Sequence, residues 1–222
     1  IPRGLPNITT RVLTGYDIRA DDNTLALWNM DEASGNYVYD FGNSGVYLNA
    51  SNHEWLDFFG TATGVSGLRF NGFNTDSIEE FEFKRVDEFS FSFWVNPFDI
   101  TSAVFALFSR ETSFPNYVAV NEYGRVVFRV YDETGFTALD TVDVVLSENT
   151  WTHVAITFNN QSGKIYIDGS EVAINVSNIG GSTPLPATMT FKIGREANGS
   201  LADTDFFGKL THFAIHDKER TA

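Results

Sequence analysis

Residues 151–172, with the sequence WTHVAITFNNQSGKIYIDGSEV, constrain the fold more than any other stretch of the chain. Apolar side chains alternate with small or polar ones through residues 152–158, and the alternation resumes at residues 165–167. A period of two is typical of a strand with one buried face. Asp168 and Gly169 then form a strong signal for a two-residue hairpin turn. This stretch therefore predicts a β-meander and favours an all-β fold around it.

Similar alternation recurs along most of the chain, and it predicts a single large β domain. Hydrophobic residues make up 42% of the sequence and 21 of the residues are Phe, which suits the interior between two packed sheets. Residues 25–222 are expected to form this domain, and residues 1–24, which hold two prolines, an extended arm or linker of a longer protein. Further strands are predicted at residues 25–30, 46–48, 67–72, 89–95, 104–109, 117–120, 126–131, 141–146, 189–193 and 208–216.

The charge of the chain excludes several classes of partner. Its formal net charge is −14, whereas affinity for nucleic acid comes largely from Lys and Arg that neutralise phosphates. The same charge disfavours anionic membranes and sulfated glycans, and it leaves neutral sugars, cations and basic proteins as partners. No apolar run is long enough for a membrane span, and the absence of Cys leaves the redox compartment open.

A series of short motifs, taken in order, resembles the laminin G-like domains of the concanavalin A-like lectin/glucanase superfamily. The resemblance implies an all-β, two-sheet antiparallel jelly-roll sandwich with an extended N-terminal arm in front of it. It covers about residues 25–217 and is a strong signal for fold but a poor one for function. The matching blocks are residues 28–36, 40–45, 68–72, 91–95, 151–155, 165–169, 192–194 and 207–210.

The resemblance also raises the question of a structural calcium ion. Family members often bind calcium near the loop at residues 31–45, where Asp31, Asp40 and Asn43 are the candidate oxygen ligands here. An acid expected in the last strand is absent, because the corresponding step reads GKLTH at residues 208–212. The alternative is that these Asp and Asn side chains stabilise the turns of a long loop.

Catalysis is not predicted. Glycoside hydrolases of this fold need two or three carboxylates that alternate along one strand. Glu80 and Glu82 have that spacing, but Lys84 occupies the third position, so we interpret this segment as a solvated edge strand. The sequence contains no nucleophile elbow for a serine hydrolase.

Aromatic side chains in the predicted loops are the candidates for ligand binding, because core packing does not fully explain them and aromatic faces stack on sugar rings. Nearby Arg and Asn side chains would recognise hydroxyl groups. The alternative role for each aromatic residue is to close the ends of the sandwich. The candidate ligand-binding residues are Trp55, Phe58, Arg110, Phe114, Arg195, Asn198 and Phe206.

These features favour a non-catalytic recognition or adhesion module that binds a glycan or a surface protein at a cell surface, virion surface or phage tail fibre, in an extracellular setting. A second hypothesis is a structural decoration domain that assembles with a protein partner through residues 1–24 and does not bind glycan. A third is an accessory domain of a polysaccharide-degrading enzyme.

Overall fold

The computed structural model describes residues 20–50, 53–56, 67–72, 78–84, 88–100, 103–109, 116–131, 136–159, 162–179, 188–194 and 206–218. The first 19 residues of the predicted arm lie outside these ranges. The elements found in the described residues are all strands, and no helix in them is long and apolar enough to cross a membrane. In chain order the strands are β1 Thr24–Trp28, β2 Tyr37–Val38, β3 Leu48–Asn49, β4 Glu54–Leu56, β5 Gly67–Asn71, β6 Ile78–Lys84, β7 Glu88–Pro97, β8 Ala103–Ser109, β9 Asn116–Val120, β10 Val126–Tyr131, β11 Phe136–Thr141, β12 Thr152–Asn159, β13 Ser162–Ile167, β14 Ser170–Glu171, β15 Ile174–Ile179, β16 Thr188–Ile193 and β17 Phe207–His216.

The strands form two large antiparallel sheets. The eight-stranded sheet has the order β14-β13-β12-β7-β17-β5-β4, and β1 also pairs with β17. Strand β17 therefore pairs with β7 along one side, and with β5 and then β1 along the other. The seven-stranded sheet has the order β15-β11-β10-β9-β8-β16-β6, which places β6, with Glu80 and Glu82, at its edge as predicted. Strands β2 and β3 form a small separate hairpin.

The core lies between the two large sheets and is rich in Phe. Phe89, Phe91 and Phe93 alternate along β7 and are fully buried, as the period of two predicts. The ring of Phe89 meets that of Phe128 on the opposite sheet at 6.2 Å, and the rings of Phe93 and Phe213 stack at 5.2 Å. The predicted all-β sandwich is therefore confirmed.

The β-meander predicted for residues 151–172 forms as expected. Strands β12 and β13 pair from Val154 opposite Ile167 to Asn159 opposite Ser162. Asp168 and Gly169 both have positive φ, 49° and 79°. Two positive φ values in succession are the backbone of a type I′ turn, whose twist matches that of the strands it joins.

Several segments differ from the sequence prediction. Strands β2 and β15 and residues 136–140 of β11 are not among the predicted strands. A strand is predicted over residues 141–146, but β11 ends at Thr141 because the backbone after it turns towards another loop. The Thr141 hydroxyl donates to the Asp143 carbonyl at 3.0 Å, and the N–H groups of Val145 and Leu146 both donate to the Gly124 carbonyl at 3.0 Å. Trp55 is predicted to lie in a loop, but Glu54–Leu56 adds β4 to the edge of the eight-stranded sheet.

Candidate functional site

The carboxylate of Asp40 organises the loop between β1 and β3. Its Oδ1 accepts the N–H groups of Leu27 at 2.8 Å and Gly42 at 2.7 Å. Its Oδ2 accepts the Ser44 hydroxyl at 2.7 Å and the Gly45 N–H at 2.8 Å. Four donors converge on one carboxylate, and charge-assisted hydrogen bonds are among the strong ones. Asp40 therefore ties the turn at residues 41–45 to the first strand of the domain.

Further hydrogen bonds hold the same loop against β1. The Phe41 N–H donates to the Leu27 carbonyl at 2.8 Å, and the Asn43 side-chain amide donates to the Thr24 carbonyl at 2.8 Å. The indole N–H of Trp28, which is fully buried, donates to the Val46 carbonyl at 3.0 Å. These contacts fix the loop at both of its ends, so side chains that it carries are held on a rigid support.

The loop presents four aromatic side chains to solvent. Tyr37, Tyr39, Phe41 and Tyr47 are 44%, 56%, 47% and 61% exposed, whereas most of the Phe residues whose burial the structure describes lie in the core. Along the chain the first three alternate with the buried Val38 and the half-buried Asp40. The rings of Tyr37 and Tyr47 meet edge to face at 5.1 Å. We call these four residues the aromatic loop surface.

Glu32 lies next to this surface, and its two carboxyl oxygens have different surroundings. Its Oε1 accepts the Tyr39 N–H at 2.8 Å, whereas its Oε2 is buried and has no hydrogen-bond partner among the described residues. Burial raises the pKa of Glu32 above its ordinary value of 4.5, and the hydrogen bond from Tyr39 only partly offsets this. The same contact connects Glu32 to the backbone of an exposed aromatic residue.

The residues predicted to bind calcium do not fit that ion. Both oxygens of Asp40 already accept hydrogen bonds, and the Asn43 amide donates to backbone carbonyls. The Thr211 hydroxyl, where the resemblance leads one to expect an acid, donates to the Asn29 carbonyl at 2.8 Å. Within the described ranges no three His, Cys, Asp or Glu side chains could hold a metal together, and Asp31 is half-buried outside any such group. We therefore assign Asp40 and Asn43 to the turns of the loop.

Two of the predicted ligand-binding residues lie in the described part of the chain. Phe206 is 1% exposed and its ring lies 5.8 Å from that of Phe70, so a core role replaces the ligand-binding role expected for it. Trp55 is half-buried on β4, packs against the core, and donates its indole N–H to the Gly35 carbonyl at 2.7 Å. Both residues follow the alternative role of closing the sandwich. The other five lie outside the described residues: Phe58, Arg110, Phe114, Arg195 and Asn198.

The aromatic loop surface was not among the predicted sites. The many Gly, Asn and Asp residues of the segment 31–45 predict a loop of turns. The signal that identifies the surface is the alternation in YVYDF at residues 37–41, in which every second residue is aromatic. Such a pattern normally indicates a buried face, and here the loop turns it outwards because Val38 and Asp40 occupy the inner side.

The two antiparallel sheets, with β17 paired to β7 on one side and to β5 and β1 on the other, define a lectin-like jelly roll. The chain belongs to the Laminin_G_3 family of the concanavalin A-like lectin/glucanases superfamily, whose model matches residues 70–222. No curated protein matches the chain at a significant level.

Several solved structures share the fold. Domain 4 of AbnA, a GH43 extracellular arabinanase from Geobacillus stearothermophilus, in complex with arabinotriose, superposes with a TM-score of 0.63 at 17% identity, over 90% of this chain and 94% of that one. Trypanosoma rangeli sialidase in complex with sialic acid gives 0.65 at 16% identity, over 97% of this chain but 34% of the sialidase. A heptameric SAP-like pentraxin from Limulus polyphemus gives 0.53 at 16%, over 69% and 76%. The chain thus spans about a third of the sialidase, and identities this low show the fold alone.

Proposed function

We propose that this protein is a non-catalytic carbohydrate-recognition module that binds neutral sugars through the aromatic loop surface. The observation that carries the proposal is the exposure of four aromatic rings on a loop that Asp40 fixes to β1. Single exposed aromatic residues are ordinary, but a group of them within residues 37–47 supports the proposal of an interaction site there.

The chemistry of the surface suits a sugar. The C–H faces of a pyranose or furanose ring pack on aromatic faces, and the phenol hydroxyl groups of three of the four residues exchange hydrogen bonds with sugar hydroxyls. The backbone hydrogen bonds of Phe41 and Tyr39 to Leu27 and Glu32 hold the support in place before a ligand arrives. Binding then orders few additional groups, which lowers its entropic cost.

Two further observations support this choice of ligand. The net charge of −14 disfavours nucleic acid and polyanionic surfaces as partners for the molecule as a whole. The structure of AbnA domain 4, which matches this chain over nearly the full length of both, holds arabinotriose. We therefore place oligosaccharides first among the candidate ligands.

The proposal includes no hydrolysis at this surface. Cleavage of a glycosidic bond requires a pair of carboxyl groups roughly 5–10 Å apart that are free to act as acid and as base or nucleophile. Beneath the aromatic loop surface, Asp40 has both oxygens engaged by four donors, which leaves it no capacity for either task.

A glycan array of neutral oligosaccharides, arabinotriose included, tests the proposal with wild-type protein and with Tyr47→Ala. We expect a defined set of neutral ligands for the wild type, weaker signals from that set for the variant, and no release of reducing ends. Absence of any neutral ligand, or unchanged signals for Tyr47→Ala, would contradict the proposal.

Attachment to a virion or cell surface is a separate proposal, which rests on the sequence of residues 1–24. Deletion of residues 1–19, which leaves β1 and the contact of Thr24 with Asn43 in place, should prevent incorporation into the parent particle while glycan binding persists. If incorporation fails to depend on residues 1–19, the arm is not the anchor. If the particle assembles normally but no glycan binds, the structural decoration role is favoured instead.

A further inference from the structure

A row of polar side chains crosses four strands on the outer face of the eight-stranded sheet. Lys209 on β17 lies opposite both Asn96 on β7 and Arg69 on β5, and Arg69 lies opposite Glu54 on β4. The next row along the same strands points to the core and consists of Val95, Leu210, Leu68 and Trp55. Since neighbouring residues of a strand point to opposite faces, the polar row lies on the outside.

An aromatic ring holds the two cations of this row together. The Lys209 ammonium lies 5.1 Å from the centroid of the Phe98 ring, and the Arg69 guanidinium lies 5.4 Å from it. The ring of Phe207 meets Phe98 edge to face at 5.1 Å and is itself 37% exposed. Cation–π contacts position a cation without neutralising its charge.

Among the described residues, the row carries more positive charge than its partners neutralise. Arg69 pairs with Glu54 at 2.9 Å, but Lys209 has no carboxylate or hydrogen-bond acceptor among the described residues. Asn96 is 5% exposed, and its Oδ1 has no hydrogen-bond partner in the described part of the chain. The Nε of Arg69 is buried and likewise lacks an acceptor there. Buried polar atoms are normally paired, so unpaired ones at one place point to a water molecule or a ligand that would pair them.

We propose that Lys209, Arg69, Asn96, Phe98 and Phe207 form a second binding site, which takes an acidic sugar residue such as a uronic acid. The ammonium of Lys209 binds the carboxylate, and Arg69 and Asn96 supply further polar contacts. The exposed Phe207 packs on the apolar face of the sugar ring. A ring that carries a carboxylate matches this combination of charge and aromatic surface better than a simple anion does. The site uses none of the residues of the aromatic loop surface.

Three small probes test the contributions of the carboxylate and of the sugar ring separately. They are sodium glucuronate, which has both, methyl glucoside as the neutral ring, and sodium acetate as the carboxylate without a ring. Their binding to the full chain is followed by amide chemical shifts in two-dimensional NMR. We expect glucuronate alone to shift the amides of Lys209, Arg69 and Phe207, with an affinity that falls as salt rises. Acetate that binds as well as glucuronate would overturn the assignment to a sugar, and absence of shifts with glucuronate would overturn the site.

Matched variants tie the binding to the row. Lys209→Gln removes the charge and keeps a polar side chain that is one atom shorter, and it should weaken glucuronate binding about tenfold or more, as loss of a charge-assisted contact does. Lys164→Gln is the control, because Lys164 is an exposed lysine that pairs with Glu171 on a distant hairpin. Phe207→Ser should also weaken binding while thermal denaturation shows that the protein is folded. Equal affinities of Lys209→Gln and wild type would overturn the proposal, whatever the array shows for neutral glycans.

Discussion

At the scale of single residues, substitution of Asp40 should disturb the structure of the candidate site most. Asp40→Asn replaces one acceptor oxygen with an amide that faces hydrogen-bond donors, so two of the four hydrogen bonds are lost. We expect the free energy of unfolding to fall by about 2–4 kcal/mol, since buried donors are left unpaired. Urea denaturation measures this change. Asp143→Asn is the control, because its exposed side chain makes none of these contacts, and an equal effect in both variants would refute the role of Asp40.

The same residue distinguishes a calcium loop from a loop closed by hydrogen bonds. The melting temperature of the wild type should be the same in calcium and in chelator, because the oxygens of Asp40 are already satisfied. A ligand that binds only the folded state raises the melting temperature. A clear rise on addition of calcium would therefore restore Asp31, Asp40 and Asn43 as metal ligands.

Glu32 predicts a specific dependence of stability on pH. Its pKa is raised in the folded protein, so the folded state binds the proton more tightly than the unfolded state does. The contribution of Glu32 to stability is present below its ordinary pKa of 4.5 and is lost as the pH rises through the raised value. Glu32→Gln should therefore raise the melting temperature at pH 7, and this gain should disappear below about pH 4.5. An equal gain at both pH values would show that charge is not the cause.

At the scale of elements, the end of β16 depends on a glycine. Gly194 has a φ of 83°, and a Cβ added there would overlap the ring of Phe70. Gly169 in the hairpin between β13 and β14 has a similar φ of 79° but open space around it. Both Gly→Ala variants carry the backbone strain of about 1 kcal/mol, and only Gly194→Ala adds a clash with the core. We expect Gly194→Ala to be the less stable by about 2 kcal/mol or more in urea denaturation. Equal losses would mean that Phe70 moves aside at no cost.

The elements also show what a sequence pattern can and cannot reveal. Alternation along 89–95 and 152–158, and the pair Asp168 and Gly169, predict β7, β12 and the hairpin because local geometry alone determines them. The end of β11 at Thr141 depends on the distant carbonyl of Gly124, which accepts the N–H groups of residues 145 and 146. A pattern confined to neighbouring residues contains no information about that contact.

The candidate site illustrates the same limit. The turn residues of segment 31–45 predict a loop, but the exposure of Tyr37, Tyr39 and Phe41 follows from the anchoring of Asp40 to β1, thirteen residues away at Leu27. The polar row of β4, β5, β7 and β17 joins positions from Glu54 to Lys209. Only the register of the sheet brings such distant residues together. The burial of Phe206 likewise depends on its packing in the assembled core.

At the scale of the whole molecule, the two proposed sites differ in chemistry. One is a mostly uncharged aromatic surface on the loop after β1, and the other is a cationic row on the outer face of the eight-stranded sheet. The overall charge of −14 repels polyanions at long range, so the cationic row should select short acidic sugars over long polyanionic chains. Each site is tested with its own variants, so the proposal for one site can be contradicted while the proposal for the other stands.

The central claim is that the aromatic loop surface binds neutral glycan, and titration calorimetry with the strongest neutral ligand from the array tests it most directly. The double variant Tyr39→Ala and Tyr47→Ala should lose at least about tenfold in affinity, since each ring contributes stacking of about 1 kcal/mol. Tyr123→Ala removes a 60% exposed ring from the turn between β9 and β10 and should bind as the wild type does. If the double variant binds as tightly as the wild type, or if Tyr123→Ala loses as much, the aromatic loop surface is not the glycan-binding site.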